Sequence, residues 1–401
     1  MTITYRLYRP SDAEQVNDLA HNVFNLAPFS AEVWQHMEEG EHVTVVAAEG
    51  DKIVGAIPFD LRDFLIRPGL SIRSAWAHMV CVDAEYRSRG IGSGMMKLAR
   101  VQLAGEQLAG QHLPRICEAM FVYTGSEGTA PYTFYEKNGF VDLHYSRFFT
   151  LTNPKANAPL DVEVTPYDPA RIGEENLYAA FQRAYQDYAG FPVHYPGYWQ
   201  RAIESIIYIE IPTEFYIATL TQETELSGYA VFGFIRGHAT LLELAAGPAE
   251  PGLIEKLLQA VIAAAAARGV EMVNMLACTH HPAASALLEL GFQPDRRANA
   301  EVVAGVVLEF DRLWMKLTHA NPPFGLEILT PSRTLKLPGL GKPITLEMKE
   351  STLQRLFLCR ECLPAALETE RITSPTLDLP LEALQTIFQP APWVFHWLEW
   401  I

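Results

Sequence analysis

The sequence is short of the features that mark secreted and membrane proteins. Its 401 residues include five cysteines, an odd number at wide spacings, which does not suggest a disulfide framework. The most apolar run, residues 257–267, is shorter than the roughly 20 residues that a membrane-spanning helix needs. The opening MTITYRLYRP lacks the apolar core of a signal peptide. These absences predict a reduced, cytoplasmic protein that does not insert into membranes.

Positive charge is also scarce. Lys and Arg number 31 against 47 Asp and Glu, so the formal net charge is -16 at pH 7. A field of this sign repels nucleic acid and attracts cations, which predicts no nucleic-acid partner and suits an amine substrate. The fractions of hydrophobic residues (49%) and charged residues (19%) are globular, and the length predicts two or three domains.

Predicted strands and helices alternate along the chain, which indicates an α/β fold with mixed sheets. Residues 3–9 are predicted to form a strand, and Ser11 with Glu14 forms a capping box for a helix that ends near Phe24. A strand over residues 72–82, a glycine-rich turn and a helix to about Leu108 follow. The pattern then predicts another strand over residues 119–123 and a short helix over residues 131–138.

The same order returns over residues 226–290 as a second, eroded copy. Its counterpart of the glycine-rich turn is AAGPAEPG, residues 245–252, whose prolines and acids are expected to block helix entry and repel phosphate. Beyond about residue 310 the pattern changes to short strands with Pro/Gly turns, a helix over residues 351–372 and a last helix in LEALQTIF, residues 381–388. The predicted domains are 1–152, 153–308 and 309–401, with a linker at Thr152–Leu160.

The turn itself lies in VDAEYRSRGIGSGMM, residues 82–96. It does not contain the Walker pattern GxxxxGK[ST], and Met95 stands where a dinucleotide fingerprint needs its third glycine. Arg87, Gly90 and Gly92 instead give R-x-x-G-x-G between a strand and a helix. Small residues let successive N–H groups converge on an anion, and the helix N-terminus adds its dipole. The pattern predicts a pyrophosphate site.

Together with FYEKNGF, residues 134–140, this stretch resembles motifs A and B of the Gcn5-related N-acetyltransferases (GNATs), although Ala84 replaces a usual proline. The resemblance implies acetyl-CoA as cosubstrate and tandem GNAT folds with mixed central sheets. It implies that Val80 and Val82 offer backbone groups to the pantetheine arm. It implies a general-acid role for Tyr135, which protonates the leaving thiolate; the structural alternative is an aromatic core residue. The residues implied to hold the pyrophosphate are Arg87, Ser88, Arg89, Gly90, Gly92 and Ser93.

The layout of the whole chain is similar to that of the Eis-like acetyltransferases, which add a sterol-carrier-protein-like C-terminal domain to the GNAT units. This resemblance implies that the C-terminal carboxylate, here on Ile401, acts as the base; a purely structural terminus is the alternative. It also implies a homo-oligomer, because such relatives often form hexamers. The residues suggested to contact the acceptor are Phe24, Phe29, Trp34 and Glu399.

The sequence therefore predicts an acetyl-CoA-dependent N-acetyltransferase that acts on a small cationic amine by direct transfer. A protein or peptide N-acetyltransferase and an apolar-ligand-binding protein remain alternatives. A thiol-forming tandem GNAT such as mycothiol synthase fits less well, because its second unit keeps a glycine-rich turn. Cys359-x-x-Cys362 and His280-His281 lack further ligands at metal-site spacing, so no metal is predicted.

Overall fold

The structure is a computed structural model that describes residues 2–24, 42–105, 116–125, 128–155, 158–195, 197–206, 214–222, 225–235, 237–247, 252–295, 301–376 and 378–399. The chain divides into two compact units. Unit 1 combines Met1–His144 with Val302–Ala391, and unit 2 combines Tyr145–Glu301 with Pro392–Ile401. The predicted division into three domains stays a prediction.

Strands and helices alternate in the first part of the chain, as the hydrophobic pattern predicts. Its elements are β1 (Ile3–Leu7), α1 (Ala13–Phe24), β2 (His42–Glu49), β3 (Lys52–Arg67), β4 (Leu70–Ala77), β5 (Cys81–Val82), α2 (Ile91–Leu103), β6 (Ala119–Thr124), α3 (Ala130–Lys137) and β7 (Val141–Thr152).

The middle part repeats this alternation. Its elements are β8 (Glu163–Pro166), α4 (Pro169–Ile172), α5 (Glu174–Tyr185), β9 (Phe191–Pro192), α6 (Tyr198–Ile206), β10 (Phe215–Gln222), β11 (Glu225–Ile235), β12 (His238–Ala246), α7 (Leu253–Ala267), β13 (Met272–Ala277), α8 (Ala284–Glu289), β14 (Gln293–Pro294) and β15 (Glu301–Val307).

Shorter elements follow to the C-terminus. They are α9 (Phe310–Leu317), β16 (Leu326–Leu329), β17 (Thr334–Leu337), β18 (Ile344–Met348), α10 (Glu350–Phe357), α11 (Leu363–Glu368), β19 (Ile372–Thr373) and α12 (Leu381–Ile387). The four strands pair in the order β17-β16-β18-β19. Within the described ranges, no helix is long and apolar enough to cross a membrane.

The larger sheet of unit 1 has the strand order β1-β2-β3-β4-β6-β15. β4 and β6 run parallel, because α2 connects them as a crossover, whereas the other neighbours are antiparallel. α2 buries Met95, Met96 and Ala99 against the sheet. Gly55 of β3 permits this close packing, since a Cβ there would lie 2.8 Å from Met95 Cε.

Unit 2 builds an equivalent sheet in the order β7-β13-β12-β11-β10-β8. β12 and β13 are parallel and are connected by α7, as β4 and β6 are by α2. The mixed α/β fold predicted from the sequence is confirmed. The bounds of β11, β12, α7, β13 and α8 also lie within a few residues of those predicted for the second copy.

Two strands lie in units that the local pattern did not indicate. β15, which belongs to the second predicted domain, pairs with β6 of unit 1, with Val302 opposite Thr124. The segment from Tyr145 to Thr152 of β7 belongs to unit 2 and pairs with β13, with Phe149 opposite Met275. Unit 1 thus includes a strand from the second predicted domain, and unit 2 includes part of a strand from the first predicted domain.

Two helix predictions were wrong. The helix predicted over residues 351–372 is two helices, α10 and α11, because Cys359 takes a left-handed φ of +55° that ends the first one. Helix entry in the second copy is not blocked, because α7 begins at Leu253 directly after Gly252, which has φ +84°. The sterol-carrier-like identity of the C-terminal region stays a prediction.

Candidate active site

The loop between β5 and α2 has a backbone shaped for an anion. Ser88 and Gly90 both take left-handed conformations, with φ +61° and +76°, so the chain turns sharply before the helix begins at Ile91. Such turns direct neighbouring N–H groups towards one point. The first turn of a helix adds N–H groups that have no intrahelical acceptor. Arg87, Ser88, Arg89 and Gly90 are exposed, so this loop is accessible to a ligand.

The two arginines of the loop are held by backbone carbonyls. Arg87 Nε donates to the Val82 carbonyl at 3.2 Å. Arg89 Nη2 donates to the Glu85 carbonyl at 2.8 Å, and its guanidinium lies 5.0 Å from the centre of the Tyr86 ring. Both hydrogen bonds are exposed, so either guanidinium is able to exchange a carbonyl for a phosphate oxygen at little cost.

β4 and its continuation leave β6 beside this loop. The parallel register ends with Ala77 opposite Val122, and Met79 then takes a positive φ of 44°. The chain is paired with β3 on both sides of this bulge, and Val82 lies opposite Gly55. The half-buried Val80 and Val82 therefore follow directly on a strand separation. Between them, burial raises the pKa of the Cys81 thiol to about 12, so this cysteine is not a thiolate at neutral pH.

Tyr135 lies on α3, in the core of unit 1. It is 7% exposed, and its ring packs edge-on against Phe134 and Phe140 at centroid distances of 5.1 and 5.5 Å. Burial raises the pKa of the phenol well above its ordinary value, so the group stays protonated, which is the state that a general acid needs. Tyr135 is therefore able to pack in the core through its ring and to serve as a general acid through its hydroxyl.

α2 and α3 are joined directly, which fixes Tyr135 relative to the loop. A Cβ on Gly92 would lie 2.8 Å from Phe134 Cε2, so glycine is needed for this approach. Asn138 Nδ2 donates to Ser93 Oγ at 3.3 Å and to the Phe134 carbonyl at 2.8 Å. Arg100 of α2 donates to the Asn138 carbonyl. Sequence reasoning missed Arg100 and Asn138, although Asn138 stands inside the quoted FYEKNGF.

A polar cluster on β2, β3 and β4 was also missed. His42 lies 3.6 Å from Asp60, Asp60 pairs with Arg62, and Arg62 lies 5.5 Å from the centre of the Trp76 ring. The His78 ring stacks on His42 at 6.4 Å, and burial lowers the pKa of His78 to about 4. The cluster places a neutral imidazole at the bulge where the strands separate.

The predicted acceptor residues are described only in part. Phe24 is the last residue of α1 and is 41% exposed. Phe29, Trp34 and Ile401 lie outside the described residues. Glu399 ends a short 3-10 helix, Trp397–Glu399, and its side chain is outside the described part. The acceptor pocket and the terminal base therefore stay predictions.

The C-terminal segment is built into unit 2. The Val394 N–H donates to the Ala189 carbonyl at 2.8 Å, and the Ala189 N–H donates to the Pro392 carbonyl at 2.9 Å. The Cys278 thiol donates to the Trp393 carbonyl at 3.5 Å. Trp393 and Val394 are buried, so this segment belongs to the core of unit 2.

Comparison with known families identifies the class. Residues 39–142 match the sequence model of the acetyltransferase (GNAT) domain. This range contains the strand separation, the loop and Tyr135. The chain therefore carries a GNAT N-acetyltransferase domain, and the protein is an acyltransferase. A search of the curated proteins found no significant match.

Solved structures with the same fold cover nearly the whole chain. A conserved protein of unknown function from Enterococcus faecalis V583, a probable N-acyltransferase, has a TM-score of 0.69 at 13% identity and 98% coverage of both chains. A GCN5-related N-acetyltransferase from Kribbella flavida has a TM-score of 0.63 at 16% identity, again with 98% coverage of both. Eis1 from Mycobacterium abscessus has a TM-score of 0.58 at 13% identity, with 98% of this chain and 99% of that one covered. At these identities the likeness concerns the fold, and it is consistent with tandem GNAT units.

Proposed function

We propose that the protein transfers the acetyl group of acetyl-CoA directly to the amino group of a small cationic amine, such as an aminoglycoside- or polyamine-like molecule. The observation that carries this proposal is the left-handed turn at Ser88 and Gly90 beside the strand separation at Ala77, both within the matched GNAT domain. The overall negative charge supports a cationic acceptor.

The residues of the loop fit the pyrophosphate of the cosubstrate. N–H groups from Ser88 to Ser93 would bind the phosphate oxygens, and Gly92 has no Cβ to collide with Phe134 of the neighbouring helix. Arg87 would leave the Val82 carbonyl and pair with a phosphate, which frees that carbonyl for an amide of the pantetheine arm. Val80 would offer its backbone in the same way.

The chemistry that acetyl-CoA supplies is an activated thioester. The amine nitrogen attacks the carbonyl carbon, the new C–N bond forms, and the C–S bond breaks. Tyr135 would donate its phenolic proton to the sulfur that leaves. The nitrogen must lose one proton before the attack and another after it, and the carboxylate of Ile401 is the proposed acceptor of a proton.

The site is tested by Gly92→Glu. A side chain at this position meets Phe134, and its charge repels phosphate, so acetyl-CoA binding measured by calorimetry should fall by at least two orders of magnitude. Gly247→Glu, just after β12 in unit 2, is the control for an added charge outside the proposed site, because no described atom lies within 4 Å of a Cβ there. Unchanged binding in Gly92→Glu would contradict the proposal.

The acceptor class is tested by following release of free CoA thiol with polyamines, aminoglycosides and lysine peptides. Turnover with the first two classes supports the proposal. Turnover with lysine peptides alone would favour a protein N-acetyltransferase instead. A protein that binds a long apolar ligand and shows no turnover would favour the ligand-binding alternative. Sedimentation velocity tests the predicted homo-oligomer independently of the substrate.

A further inference from the structure

Unit 2 contains a buried carboxylate that the proposed chemistry does not use. Glu243, on β12, is 1% exposed. Its Oε1 atom accepts hydrogen bonds from Trp199 Nε1 at 2.8 Å and from the Tyr229 hydroxyl at 2.5 Å. Its Oε2 atom is buried and has no hydrogen-bond partner among the residues that the structure describes. A buried acceptor without a donor is costly, so this oxygen needs one.

Glu243 stands where unit 2 repeats the strand separation of unit 1. The parallel register of β12 and β13 ends with Leu241 opposite Met275, two residues before Glu243. On its other side, β12 continues to pair with β11, where Glu243 lies opposite Val231 next to an irregularity in the register. In unit 1 the corresponding position follows Ala77. The second unit thus keeps the strand separation and places a carboxylate in it.

The surroundings of Glu243 favour a cation. The Tyr167 hydroxyl is also buried without a hydrogen-bond partner in the described part of the chain. Burial, followed by the carboxylates of Glu243 and Glu174, raises the pKa of Tyr167 well above its ordinary value. Two carboxylates therefore act on this hydroxyl. No described Lys or Arg forms an ion pair with Glu243.

We propose that Glu243 and Tyr167 form a second ligand site, in unit 2, for the ammonium group of a small primary amine. The ammonium would donate one hydrogen bond to Glu243 Oε2 and another to the Tyr167 oxygen. A water molecule could make the same hydrogen bonds, but it would leave the carboxylate charge uncompensated. An ammonium compensates that charge and donates both hydrogen bonds. This site does not depend on acetyl-CoA or on the reaction proposed for unit 1.

The protonation of Glu243 makes the site sensitive to pH. Burial raises the pKa of Glu243 to about 7, against the hydrogen bonds from Tyr229 and Trp199. The other ionisable groups coupled to this cluster are Tyr167, Tyr185 and, through Tyr167, Glu174. Because an ammonium binds the ionised carboxylate, its affinity should rise about tenfold per pH unit up to pH 7 and then level off.

The test compares methylammonium chloride with tetramethylammonium chloride on the full chain at pH 8 and matched ionic strength. The two cations carry the same charge, but only methylammonium has N–H donors. Methylammonium should raise the unfolding midpoint by about 2 °C or more at saturation, and tetramethylammonium should not. Equal shifts, or no shift, would mean that Oε2 holds a buried water only and would overturn the proposal.

Variants locate the effect. Glu243→Gln keeps the shape and the acceptor oxygen but removes the charge, so the methylammonium response and its pH dependence should disappear. Glu289→Gln, at an exposed position of α8, is the matched control and should respond like the wild type. If Glu243→Gln does not fold, Tyr167→Phe serves as the second variant and should weaken the response several-fold. A full response in a folded Glu243→Gln or in Tyr167→Phe would contradict the assignment.

Discussion

Tyr135 is a phenol that burial keeps protonated, within a ring packing that phenylalanine would preserve. We therefore expect Tyr135→Phe to lower kcat by about two to four orders of magnitude, the usual worth of a positioned acid. Acetyl-CoA affinity and the unfolding midpoint should hardly change, because the ring stays in place. Steady-state release of CoA thiol, calorimetry and thermal unfolding measure the three quantities.

A neighbouring tyrosine supplies the control at the residue scale. The Tyr132 hydroxyl donates to Asp142 Oδ2 at 2.8 Å, one helical turn before Tyr135. Tyr132→Phe should cost about 1 kcal/mol of stability and leave kcat within a few-fold. If Tyr135→Phe kept a wild-type kcat, the acid would have to be another group.

At the scale of elements, a hydrogen bond holds α2, which follows the anion-binding loop, against α3, which carries Tyr135. Arg100 of α2 donates it to the Asn138 carbonyl at the end of α3. Its guanidinium also lies 5.8 Å from the centre of the Phe140 ring. We expect Arg100→Ala to lower kcat roughly tenfold, since small displacements of a catalytic group are costly, while acetyl-CoA affinity stays near wild type. Arg100→Lys should recover part of the loss, and an unchanged kcat in Arg100→Ala would refute the positioning role.

Elements that depend on local chemistry could be predicted, and pairings between distant segments could not. The glycines of residues 90–94 and the apolar spacing after them predict the start of α2 to within one residue, whereas its end at Leu103 comes about five residues before the predicted Leu108. β15 is a uniform apolar run, EVVAGVV, and nothing in such a run says which sheet it joins. The cluster of His42, Asp60 and His78 draws on three segments in the same way. Glu243 is hidden in ATLLELAAGP, where only its burial and its partners single it out.

At the scale of the whole molecule, three buried histidines join the C-terminal segment to the core of unit 2. The His396 ring lies 5.0 Å from that of Tyr185 and 5.7 Å from that of His281, and Phe181 lies 4.0 Å from His194. Burial lowers the pKa of His194 and of His281 to about 3, and lowers that of His396 as well. All three are neutral in the folded state.

This arrangement predicts that acid weakens unit 2. Below about pH 6.5 the unfolded chain takes up protons on these histidines and the folded chain does not. The stability of the folded state is therefore highest above that pH, and it falls as the pH falls towards 3. Each histidine contributes a slope of about 1.4 kcal/mol per pH unit. The pKa of Glu243 is raised to about 7, so the folded chain takes up a proton on this carboxylate at a higher pH than the unfolded chain does. This uptake offsets the slope of one of the three histidines. Urea unfolding between pH 7.5 and 5 measures the slope. His396→Phe should reduce this slope by about 1.4 kcal/mol per pH unit, the contribution of one proton. A free energy of unfolding that does not change with pH in the wild type would contradict this account.

The last residue distinguishes a catalytic terminus from a structural one. The described hydrogen bonds and burial of the C-terminal segment fall on residues 392–398, before Ile401. Deleting Ile401 alone should therefore leave the unfolding midpoint and acetyl-CoA affinity unchanged, yet lower kcat at least tenfold, because the carboxylate moves back by one residue. Deleting residues 392–401 should instead lower the midpoint, since Ala189 and Cys278 then lose their hydrogen-bond partners. A C-terminal tag should reproduce the first result and an N-terminal tag should not. Full activity without Ile401 would assign the base to another group and leave the segment with a purely structural role.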